Sequence, residues 1–429
     1  MPDNSPRYLF VSNYFPPPFI GGSVVYVHFV HAAFGREAIV LAPTQLEAHA
    51  HDANCPYVVL RLDCALPSEA VTSRWRRILN GITLFFKVLL LVKRLNIKVL
   101  HVGNLGKLAL TAYIVAWLTG VKTVITLHGE ELSTRPGRGA LCWGWPGRGI
   151  NALLYFCARR LDLVIASSPT TEGLLHKMHF NRERIVVITP GLDESKMPSA
   201  DLGHGEAKVL KADLGHGEAK VLNADFALAM MSRPRALSEN LSLSPMLLCL
   251  GRLISRKGQD VLLQALPRVL QEFPTAHLVL AGCGPDEGKL RAIIERLNLA
   301  SNVSLLTQVS NPESAWLYAH CTVFCMPNRT LPNGDSEGYG IVFLEAGAWS
   351  KPVIGGRAGG AVDAVDDGIT GLLVDSQDAK AVAAGILQLL NNPDLCQRMG
   401  QAGRQKALLN GWQAKSEQFK GLVERLGEY

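Results

Sequence analysis

Residues 246–272 read MLLCLGRLISRKGQDVLLQALPRVLQE, an apolar run followed by a turn bounded by glycines and then a helical pattern. Met246–Leu250 is continuously apolar, which is typical of a parallel strand covered on both faces. The turn Gly251–Gly258 leads into a helix predicted over Asp260–Glu272. Strand, turn and helix in this order are the repeating unit of a doubly wound α/β domain.

The same alternation continues in both directions along the chain. Short β-branched or apolar runs separated by helical patterns predict further buried strands at Tyr8–Val11, Ala38–Leu41, Lys98–Val102, Thr123–Leu127, Leu163–Ala166, Ile185–Ile188, Leu278–Ala281, Val303–Leu306, Val323–Met326, Val353–Ile354 and Leu372–Val374. The sequence therefore predicts two Rossmann-like domains of class α/β, over residues 1–195 and 246–409.

The segment between the two domains, residues 196–245, has a different character. Ala200–Lys211 reads ADLGHGEAKVLK, and Ala212–Asn223 repeats it with one change. The period is too short for a solenoid, so we interpret the duplication as a tolerated insertion in a linker. The apolar spacing of residues 410–429, which include Trp412 and Phe419, predicts an amphipathic terminal helix that packs on one of the domains.

Composition excludes several classes of protein. Of 429 residues, 48% are hydrophobic and 19% charged, which is globular and rules out a disordered, collagen-like or coiled-coil chain. Lys and Arg number 43 against 37 Asp and Glu. This mild excess fits an anionic ligand or an anionic membrane surface, and it is too small to indicate nucleic acid.

The positions of the cysteines and the hydropathy of the chain indicate which cellular compartment the protein occupies. Nine cysteines are scattered without a C-x-x-C motif, and several fall in apolar runs, which is typical of a reducing compartment. Residues 1–7 are polar and lack signal-peptide character. The most apolar stretch, Ile82–Leu100, is interrupted by Lys87, Lys93 and Arg94, charges that would each cost about 2.5–3.5 kcal/mol in a bilayer. We therefore expect a cytoplasmic protein, with peripheral contact to the inner face of the membrane as a further expectation.

In each predicted domain, the loop that follows the first strand contains glycines. Gly21 and Gly22 come after a proline-rich segment and open a helix, where backbone N–H groups can approach an anion. An ordinary tight turn explains this loop equally well, and the dinucleotide fingerprint G-x-G-x-x-G is absent from it. In the second domain, Arg252 and Lys257 follow the strand Met246–Leu250, where a pair of cations suits a diphosphate. The alternative is that Arg252 and Lys257 are ordinary loop residues whose charges are solvated by water.

Two further motifs lie downstream. Gly282-Cys-Gly284 is a second turn at the end of a strand, and a plain turn accounts for it when it is taken alone. Glu337 and Glu345 flank seven residues around the start of a predicted helix. Carboxylates there can accept hydrogen bonds from sugar or ribose hydroxyls, although a glutamate near a helix start is also common as dipole compensation.

These motifs, in this order, resemble glycosyltransferase family 4. Pro352–Gly355, Gly359-Gly360 and Asp367–Val374 extend the resemblance, which covers nearly the whole chain and is strongest over residues 246–408. The stretch Met326–Glu345 is most similar to the phosphatidylinositol-mannoside mannosyltransferase branch. The resemblance implies the GT-B architecture, with two domains facing a cleft that holds the donor, and a C-terminal helix that packs back on the N-terminal domain.

The resemblance also implies roles for individual residues. Arg252 and Lys257 neutralise the donor diphosphate, Glu345 binds the ribose, and Glu337 and His128 lie at the transferred sugar. Taken alone, a histidine after a strand is more typical of a structural hydrogen bond. Further donor contacts fall on Gly21, Gly22, Gly282, Gly284, Gly338, Tyr339, Gly340 and Ile341. The chain departs from the family at Tyr14, where an aspartate is common, and at Thr307 or Gln308, one of which stands where a glycine is common before Val309.

The chemistry is consistent with these roles. Breaking a glycosyl–phosphate bond builds negative charge on the departing phosphate, and fixed cations lower that barrier. No Asp-x-Asp motif for a metal occurs in the chain, so we expect no metal cofactor, with Arg252 and Lys257 in its place. No carboxylate is evidently placed as a nucleophile. The resemblance implies retention of configuration, which we therefore expect to proceed by attack on the same face as the leaving group.

The acceptor side is less defined. Arg74–Arg77 and the segment through Lys93-Arg94 are basic and apolar, which favours either an anionic membrane surface or an ordinary buried helix with a basic edge. We expect a retaining hexosyltransferase that moves a mannose- or glucose-type sugar from a nucleotide diphosphate sugar to a hydroxyl of a lipid-linked or polysaccharide acceptor. The alternatives are an epimerase or hydrolase of the same fold and an inactive membrane-associated scaffold.

Overall fold

The computed structural model describes residues 7–17, 22–45, 48–65, 73–129, 132, 148–193, 232–235, 237 and 244–428. The duplication at Ala200–Asn223 and the predicted site residue Gly21 lie outside the described residues. Contacts divide the chain into two compact units. Unit 1 comprises Met1–Gly191, Thr330–Tyr339 and Asn410–Tyr429, and unit 2 comprises Leu192–Arg329 and Gly340–Leu409.

Unit 1 is built on a seven-stranded sheet in which every strand pair is parallel. Its strands are β1 Tyr8–Val11, β2 Ala38–Pro43, β3 Val58–Leu62, β4 Val99–Val102, β5 Lys122–Leu127, β6 Leu163–Ala166 and β7 Ile185–Val187. The strand order β3-β2-β1-β4-β5-β6-β7 reverses direction between β1 and β4. At such a switch point the loops after the two strands diverge and leave a crevice for ligands.

In the ranges that the structure describes, six helices of unit 1 precede the linker: α1 Gly22–Phe29, α2 His49–Ala53, α3 Arg74–Arg94, α4 Lys107–Thr119, α5 Arg148–Ala158 and α6 Pro169–Lys177. Short 3-10 turns occur at Ala32–Glu37, Asp63–Ala65 and Arg182–Arg184. The strands are buried because apolar side chains of α3 and α4, including Leu84, Val88 and Leu108, pack with β1 and β4 in one core cluster.

Unit 2 repeats the scheme with six parallel strands in the order β10-β9-β8-β11-β12-β13. They are β8 Met246–Leu250, β9 His277–Ala281, β10 Val303–Leu306, β11 Val323–Met326, β12 Val353–Gly356 and β13 Gly371–Val374. The described helices of this unit are α7 Gln259–Glu272, α8 Glu287–Arg296, α9 Asn311–His320, α10 Ile341–Ala348, α11 Ala361–Ala364, α12 Ala379–Leu390 and α13 Pro393–Leu408. The last helix of the chain, α14 Trp412–Gly427, belongs to unit 1.

The predicted α/β class is confirmed, and each predicted strand is present. One strand, β3, escaped the sequence analysis. It is the edge strand of its sheet and is largely accessible, and it contains Arg61, so it lacks the continuous apolar run that marks a buried parallel strand.

The terminal helix α14 packs within unit 1, as the resemblance implied. The indole of Trp412 stacks on Phe29 with ring centroids 5.6 Å apart. Phe419 meets Tyr8 edge-on at 6.2 Å. The Ser416 hydroxyl donates to the carbonyl of Val30 at 3.0 Å and accepts from the N–H of Ala33 at 2.8 Å. The helix is therefore an integral part of this unit.

The described helices and cysteines bear on membrane insertion and on disulfide bonding. Within the described ranges, no helix combines the length and the apolarity that a membrane span requires. Eight cysteines lie in these ranges, and all eight are free thiols.

Candidate active site

The loops after β8 and β9 form one continuous surface at the carboxyl edge of the unit 2 sheet. The N–H of Gly251 donates to Ala281 O at 2.9 Å, and the N–H of Leu253 donates to Cys283 O at 2.9 Å. The N–H of Asp286 donates in turn to Leu253 O at 3.1 Å. These bonds extend the sheet pairing beyond the strands, so the loop that carries the predicted cations is fixed by its backbone.

Glycine is required at two positions of this contact. A Cβ atom on Gly282 would lie 2.2 Å from Gly251 O, and one on Gly284 would lie 2.3 Å from Leu253 O. Gly282 also has φ +135°, which side chains disfavour. The turn Gly282-x-Gly284 thus serves to bring two main chains together, and it holds the loop after β8 in place.

The two predicted cations, Arg252 and Lys257, both belong to this loop. Arg252 is half-buried, and its carbonyl accepts a hydrogen bond from Gln259 Nε2 at 3.0 Å. Lys257 closes a 3-10 turn and is only 7% exposed. Burial raises the pKa of the Cys249 thiol to about 12, and Lys257 acts against that shift. Because Lys257 influences the pKa of Cys249, its ammonium group lies close to that thiol, near the end of β8.

Arg329, which follows β11, also holds this loop in place through hydrogen bonds. The N–H of Arg329 donates to Arg256 O at 2.8 Å, and its guanidinium bonds both carboxylate oxygens of Asp260 at 2.9 Å. Burial raises the pKa of Asp260, but hydrogen bonds from Arg329 and Lys289 outweigh burial and leave that pKa below its ordinary value. Asp260 is thus an anionic brace at the start of α7.

A cavity of about 730 Å³ opens beside the same loops within unit 2. Its lining comes from the ends of β8, β9 and β10 and from the first turn of α9, and it includes Gly282, Thr307, Gln308 and Glu313. The Glu313 carboxylate accepts from Ser310 N at 2.8 Å and Ser310 Oγ at 2.7 Å. The volume is within the range of small-molecule sites. Thr307 and Gln308, one of which departs from the family pattern, thus lie on this cavity, whereas Tyr14 does not.

Glu345 is held by a residue that the sequence analysis missed. It lies on α10, and its Oε2 accepts a hydrogen bond at 2.8 Å from the hydroxyl of Tyr318 on α9. Tyr318 is 4% exposed, and burial together with the neighbouring carboxylate raises its pKa well above the ordinary value. In the sequence Tyr318 resembles any aromatic residue on a buried helix face, so only the packing of α9 against α10 reveals the contact.

In unit 1, His128 follows β5 directly and is 8% exposed. Its ring meets Tyr26 edge-on, with centroids 5.1 Å apart. Tyr26 is fixed in turn, because its hydroxyl donates to Ile188 O at 3.1 Å. The predicted histidine therefore stands at the carboxyl edge of the unit 1 sheet in a fixed orientation.

Glu337 belongs to the same unit as His128. The segment Thr330–Tyr339 follows β11 in sequence but is part of unit 1 by its contacts. A Cβ atom on Gly338 would lie 2.6 Å from His128 O, so glycine permits this close approach. Glu337 is half-buried with its Oε2 enclosed, and Tyr339 is 5% exposed. The two motif glutamates are thus divided, with Glu337 in unit 1 and Glu345 in unit 2.

A polar pair stands at the switch point of the unit 1 sheet. Asn13 follows β1 and Asn104 follows β4, and each is less than a tenth exposed. Their Oδ1 atoms are buried and accept no hydrogen bond from the described part of the chain. Orphaned buried acceptors are costly, so they indicate a place for an external donor such as a hydroxyl. Asn104 was not recognised in the sequence, because it lacks a surrounding motif.

The remaining predicted residues fall at element starts. Gly22 is the first residue of α1 and is exposed. Gly340 is buried and precedes α10, which begins at Ile341.

Two protein-family models match the chain, one for each domain. "Glycosyltransferase Family 4" matches residues 20–196, and "Glycosyl transferases group 1" matches residues 238–406. Among curated relatives, a GDP-mannose-dependent alpha-(1-6)-phosphatidylinositol monomannoside mannosyltransferase of Mycolicibacterium smegmatis is 42% identical over 170 residues. That match spans 39% of this chain and 44% of the relative.

A second relative aligns along the whole length. The GDP-mannose-dependent monoacylated alpha-(1-6)-phosphatidylinositol monomannoside mannosyltransferase of Corynebacterium glutamicum is 29% identical, and the match covers 98% of each chain. Among solved structures, HepE of Anabaena in complex with UDP and glucose superposes with a TM-score of 0.72 at 17% identity, covering 97% of this chain and 99% of that one. A sucrose-phosphate synthase of Thermosynechococcus elongatus gives a TM-score of 0.71 at 20% identity, covering 98% of each chain. These structures share the GT-B fold.

Proposed function

Because the chain belongs to the glycosyltransferases, with a family 4 domain followed by a group 1 domain, we propose that it transfers a mannosyl residue from GDP-mannose to a hydroxyl of a phosphatidylinositol-mannoside-type glycolipid. The observation that carries the proposal is the pair Arg252 and Lys257, on a backbone-braced loop at the carboxyl edge of the unit 2 sheet. The donor and the acceptor are taken from the two mannosyltransferase relatives.

The two cations act on the leaving group. As the bond between the anomeric carbon and the phosphate oxygen breaks, negative charge grows on GDP, and Arg252 and Lys257 stabilise it. A buried ammonium is more effective than an exposed one, since little water screens it. No divalent ion is then needed at the diphosphate, and we propose metal-independent transfer.

We propose retention of configuration by attack on the same face. The acceptor hydroxyl forms the new bond to the anomeric carbon on the side that GDP leaves, and its proton passes to the departing phosphate oxygen. His128 and Glu337 then contact the transferred sugar, which accords with their shared position in unit 1. Glu345, oriented by Tyr318, accepts hydrogen bonds from the ribose.

The nucleoside is proposed to occupy the 730 Å³ cavity, which adjoins the loop that carries the cations. Glu313 lines this cavity and offers carboxylate oxygens. Guanine presents N–H donors on its Watson–Crick edge, whereas uracil presents one, so a carboxylate favours guanine. This accords with the GDP-mannose dependence of the relatives.

The acceptor is proposed to reach unit 1 from a membrane surface. Along α3, Trp75, Leu79, Ile82, Phe86 and Leu90 recur at helical spacing, and each is 48% exposed or more. The helix contains basic residues and no acidic ones, so its exposed apolar row and its charge complement an anionic bilayer. The opposite face, with Leu84 and Val88, is buried in the core, which agrees with the other expectation for this segment, a buried helix with a basic edge.

The membrane contact is tested by sedimentation with vesicles. We expect the protein to pellet with vesicles of anionic phosphatidylglycerol and to remain in solution with phosphatidylcholine. Phe86→Glu should abolish pelleting, because it places a charge in the apolar row. Trp117→Ser is the matched control, since Trp117 is 79% exposed on a different helix of the same unit. Equal loss with both variants contradicts a specific role of α3.

The transfer itself is tested with purified protein, GDP-mannose and vesicles containing phosphatidylinositol mannoside. We expect a glycolipid with one additional α-linked mannose, and unchanged turnover in the presence of EDTA. Free mannose or an epimerised donor without glycolipid product would instead support a hydrolase or an epimerase. Failure to bind any nucleotide diphosphate would support an inactive scaffold.

A further inference from the structure

We propose that unit 1 carries a binding site for a divalent metal ion of the zinc class, formed by His28, His51 and Cys55. One potential ligand atom of each residue lies within 4.8 Å of the other two. In the described part of the chain, this is the one group of three such residues that comes so close. The inference goes beyond the proposed glycosyl transfer and does not depend on it.

Three different elements bring the ligands together. His28 lies in the last turn of α1, and His51 lies on α2, in the connection between β2 and β3. Cys55 lies two residues after the end of α2, and its Sγ donates to the carbonyl of His51 at 3.4 Å. Cys55 Sγ lies 3.8 Å from His51 Nδ1. The thiol thus lies against the imidazole ring of His51, and the ligand atoms of the three residues lie within 4.8 Å of one another. Around a tetrahedral zinc ion with Zn–S about 2.3 Å and Zn–N about 2.0 Å, the ligand atoms lie about 3.5 Å apart.

Hydrogen bonds set the tautomer of both histidines. The hydroxyl of Tyr57 uses its hydrogen on the carbonyl of His28, at 2.8 Å. The contact of 3.0 Å between His28 Nδ1 and that hydroxyl therefore has the ring N–H as donor. His51 Nδ1 likewise donates to the Asp52 carboxylate at 3.1 Å. In both rings the proton is on Nδ1, and the lone pair of Nε2 is the one that can coordinate an ion.

This arrangement matches the outer shell of known metal sites. Histidine ligands usually donate their second ring N–H to a carboxylate or another oxygen, which fixes the ring and raises its basicity. Asp52 is itself fixed by the guanidinium of Arg61, with bonds of 3.0 and 2.7 Å. The ring of Phe15 meets His51 edge-on at 6.0 Å and covers the cluster. The two histidines are thus already oriented by their surroundings.

The donor set indicates which ion would bind. Two imidazole nitrogens and one thiolate suit zinc and related borderline ions, and they do not suit magnesium or calcium, which prefer oxygen. Each of the three residues is half-buried, so a water molecule can complete a tetrahedral set. The bound ion would join the end of α1 to α2, and α1 begins at Gly22, the residue expected near the donor phosphates. We therefore assign the ion a structural role in unit 1.

The first experiment uses the full-length protein without any variant. After removal of metal and back-titration with Co²⁺, we expect one equivalent to produce the near-ultraviolet charge-transfer absorption of a cobalt–thiolate bond. Zn²⁺ should displace this signal and raise the melting temperature. A spectrum without the thiolate band contradicts the proposal, because Cys55 is then not a ligand.

The second experiment uses three variants. Cys55→Ser should abolish the thiolate band, and His51→Gln should weaken zinc binding by at least about 10-fold, since even outer-shell changes cost 10–100-fold. His49→Gln is the matched control, because His49 is exposed on the same short helix and lies outside the cluster. Far-ultraviolet circular dichroism establishes that each variant is folded. Equal zinc stoichiometry in all three variants and the native protein, or equal loss with His49→Gln, overturns the proposal.

Discussion

The first strands of the two sheets, β1 and β8, occupy the same place in the same topology and end in opposite chemistry. After β8 the chain carries three cations within six residues, Arg252, Arg256 and Lys257. After β1 it carries Ser12 and Asn13 and no charged residue until Arg36. The fold thus offers two equivalent crevices, and the loops distinguish them. The cationic edge suits a diphosphate, whereas the neutral polar edge suits hydroxyl groups.

The interiors of the two units also differ. In unit 1, the Tyr8 hydroxyl contacts Nδ1 of both His31 and His101, and His101 Nε2 lies 2.8 Å from the hydroxyl of Thr126. All of these side chains are buried. In unit 2 the corresponding strand, β8, presents only apolar side chains and a thiol. Unit 1 therefore contains titratable groups in its core where unit 2 has hydrocarbon.

The largest expected effect tests the cationic edge. Lys257→Ala should lower kcat for mannosyl transfer about 10²–10³-fold, as does the loss of one preorganised group that stabilises transition-state charge. Lys380→Ala is the control, because Lys380 is an exposed lysine of the same unit. Equal kcat values for the two variants would show that the cationic loop after β8 is not specialised for stabilising the leaving group.

The difference between the cores predicts a dependence on pH. Burial lowers the pKa of His31, reinforced by His28, and burial lowers the pKa of His101, reinforced by His31 and His128. The folded protein keeps both neutral, while the unfolded chain binds protons below about pH 6.5. Stability therefore falls as the pH drops below that value, by about 1.4 kcal/mol per pH unit for each histidine.

Hydrogen exchange measured by mass spectrometry at pH 7 and 5.5, corrected for intrinsic rates, separates the two units. Peptides from β1 and β4 should lose protection at the lower pH more than peptides from β8 and β9. The described histidines of unit 2 contribute less, because burial lowers the pKa of His277 and His320 less far than that of His31 and His101. Uniform protection across both sheets at pH 5.5 contradicts the contrast between the cores.

A smaller effect concerns the segment that unit 1 takes from beyond β11. Gly338→Ala places a methyl group against His128 O, and the segment has to move to accommodate it. We expect an approximately 10-fold loss of kcat/KM, since overpacking of this kind costs about 1–3 kcal/mol. Gly288→Ala is the control, because a Cβ atom there meets nothing within 4 Å. Full activity of Gly338→Ala would remove Glu337 from the proposed site.

The smallest expected effect lies in unit 2. Tyr318→Phe removes the hydroxyl that orients Glu345 and leaves the ring in place. Because the hydroxyl orients the carboxylate and does not itself contact the donor, we expect a cost of about 1 kcal/mol, below the roughly 1.5–3 kcal/mol of a direct hydrogen bond to a charged group. KM for the donor should therefore rise about 5-fold, and kcat should stay nearly constant. A fall in kcat with an unchanged KM would place Glu345 at the sugar instead of the ribose.

Periodicity and strand-end motifs predict most of the fold and only part of the site. The buried strands are evident because parallel pairing demands apolar residues on both faces. The cations and glycines after β8 and β9 are evident because function in such sheets concentrates at the strand ends. Tyr318 and Asn104 escaped recognition, because their roles arise from packing between elements distant in sequence. The placement of Glu337 in unit 1 could not be predicted for the same reason, because it also arises from contacts between segments distant in sequence.

The central claim, that Arg252 and Lys257 hold a pyrophosphate, is tested most directly by calorimetric titration with GDP and with GMP. In the native protein we expect GDP to bind at least about 10-fold more tightly than GMP, since a charge-assisted contact to the second phosphate is worth about 1.5–3 kcal/mol. Lys257→Ala should reduce that ratio towards one. A ratio that is unchanged in Lys257→Ala and in Arg252→Ala contradicts the claim.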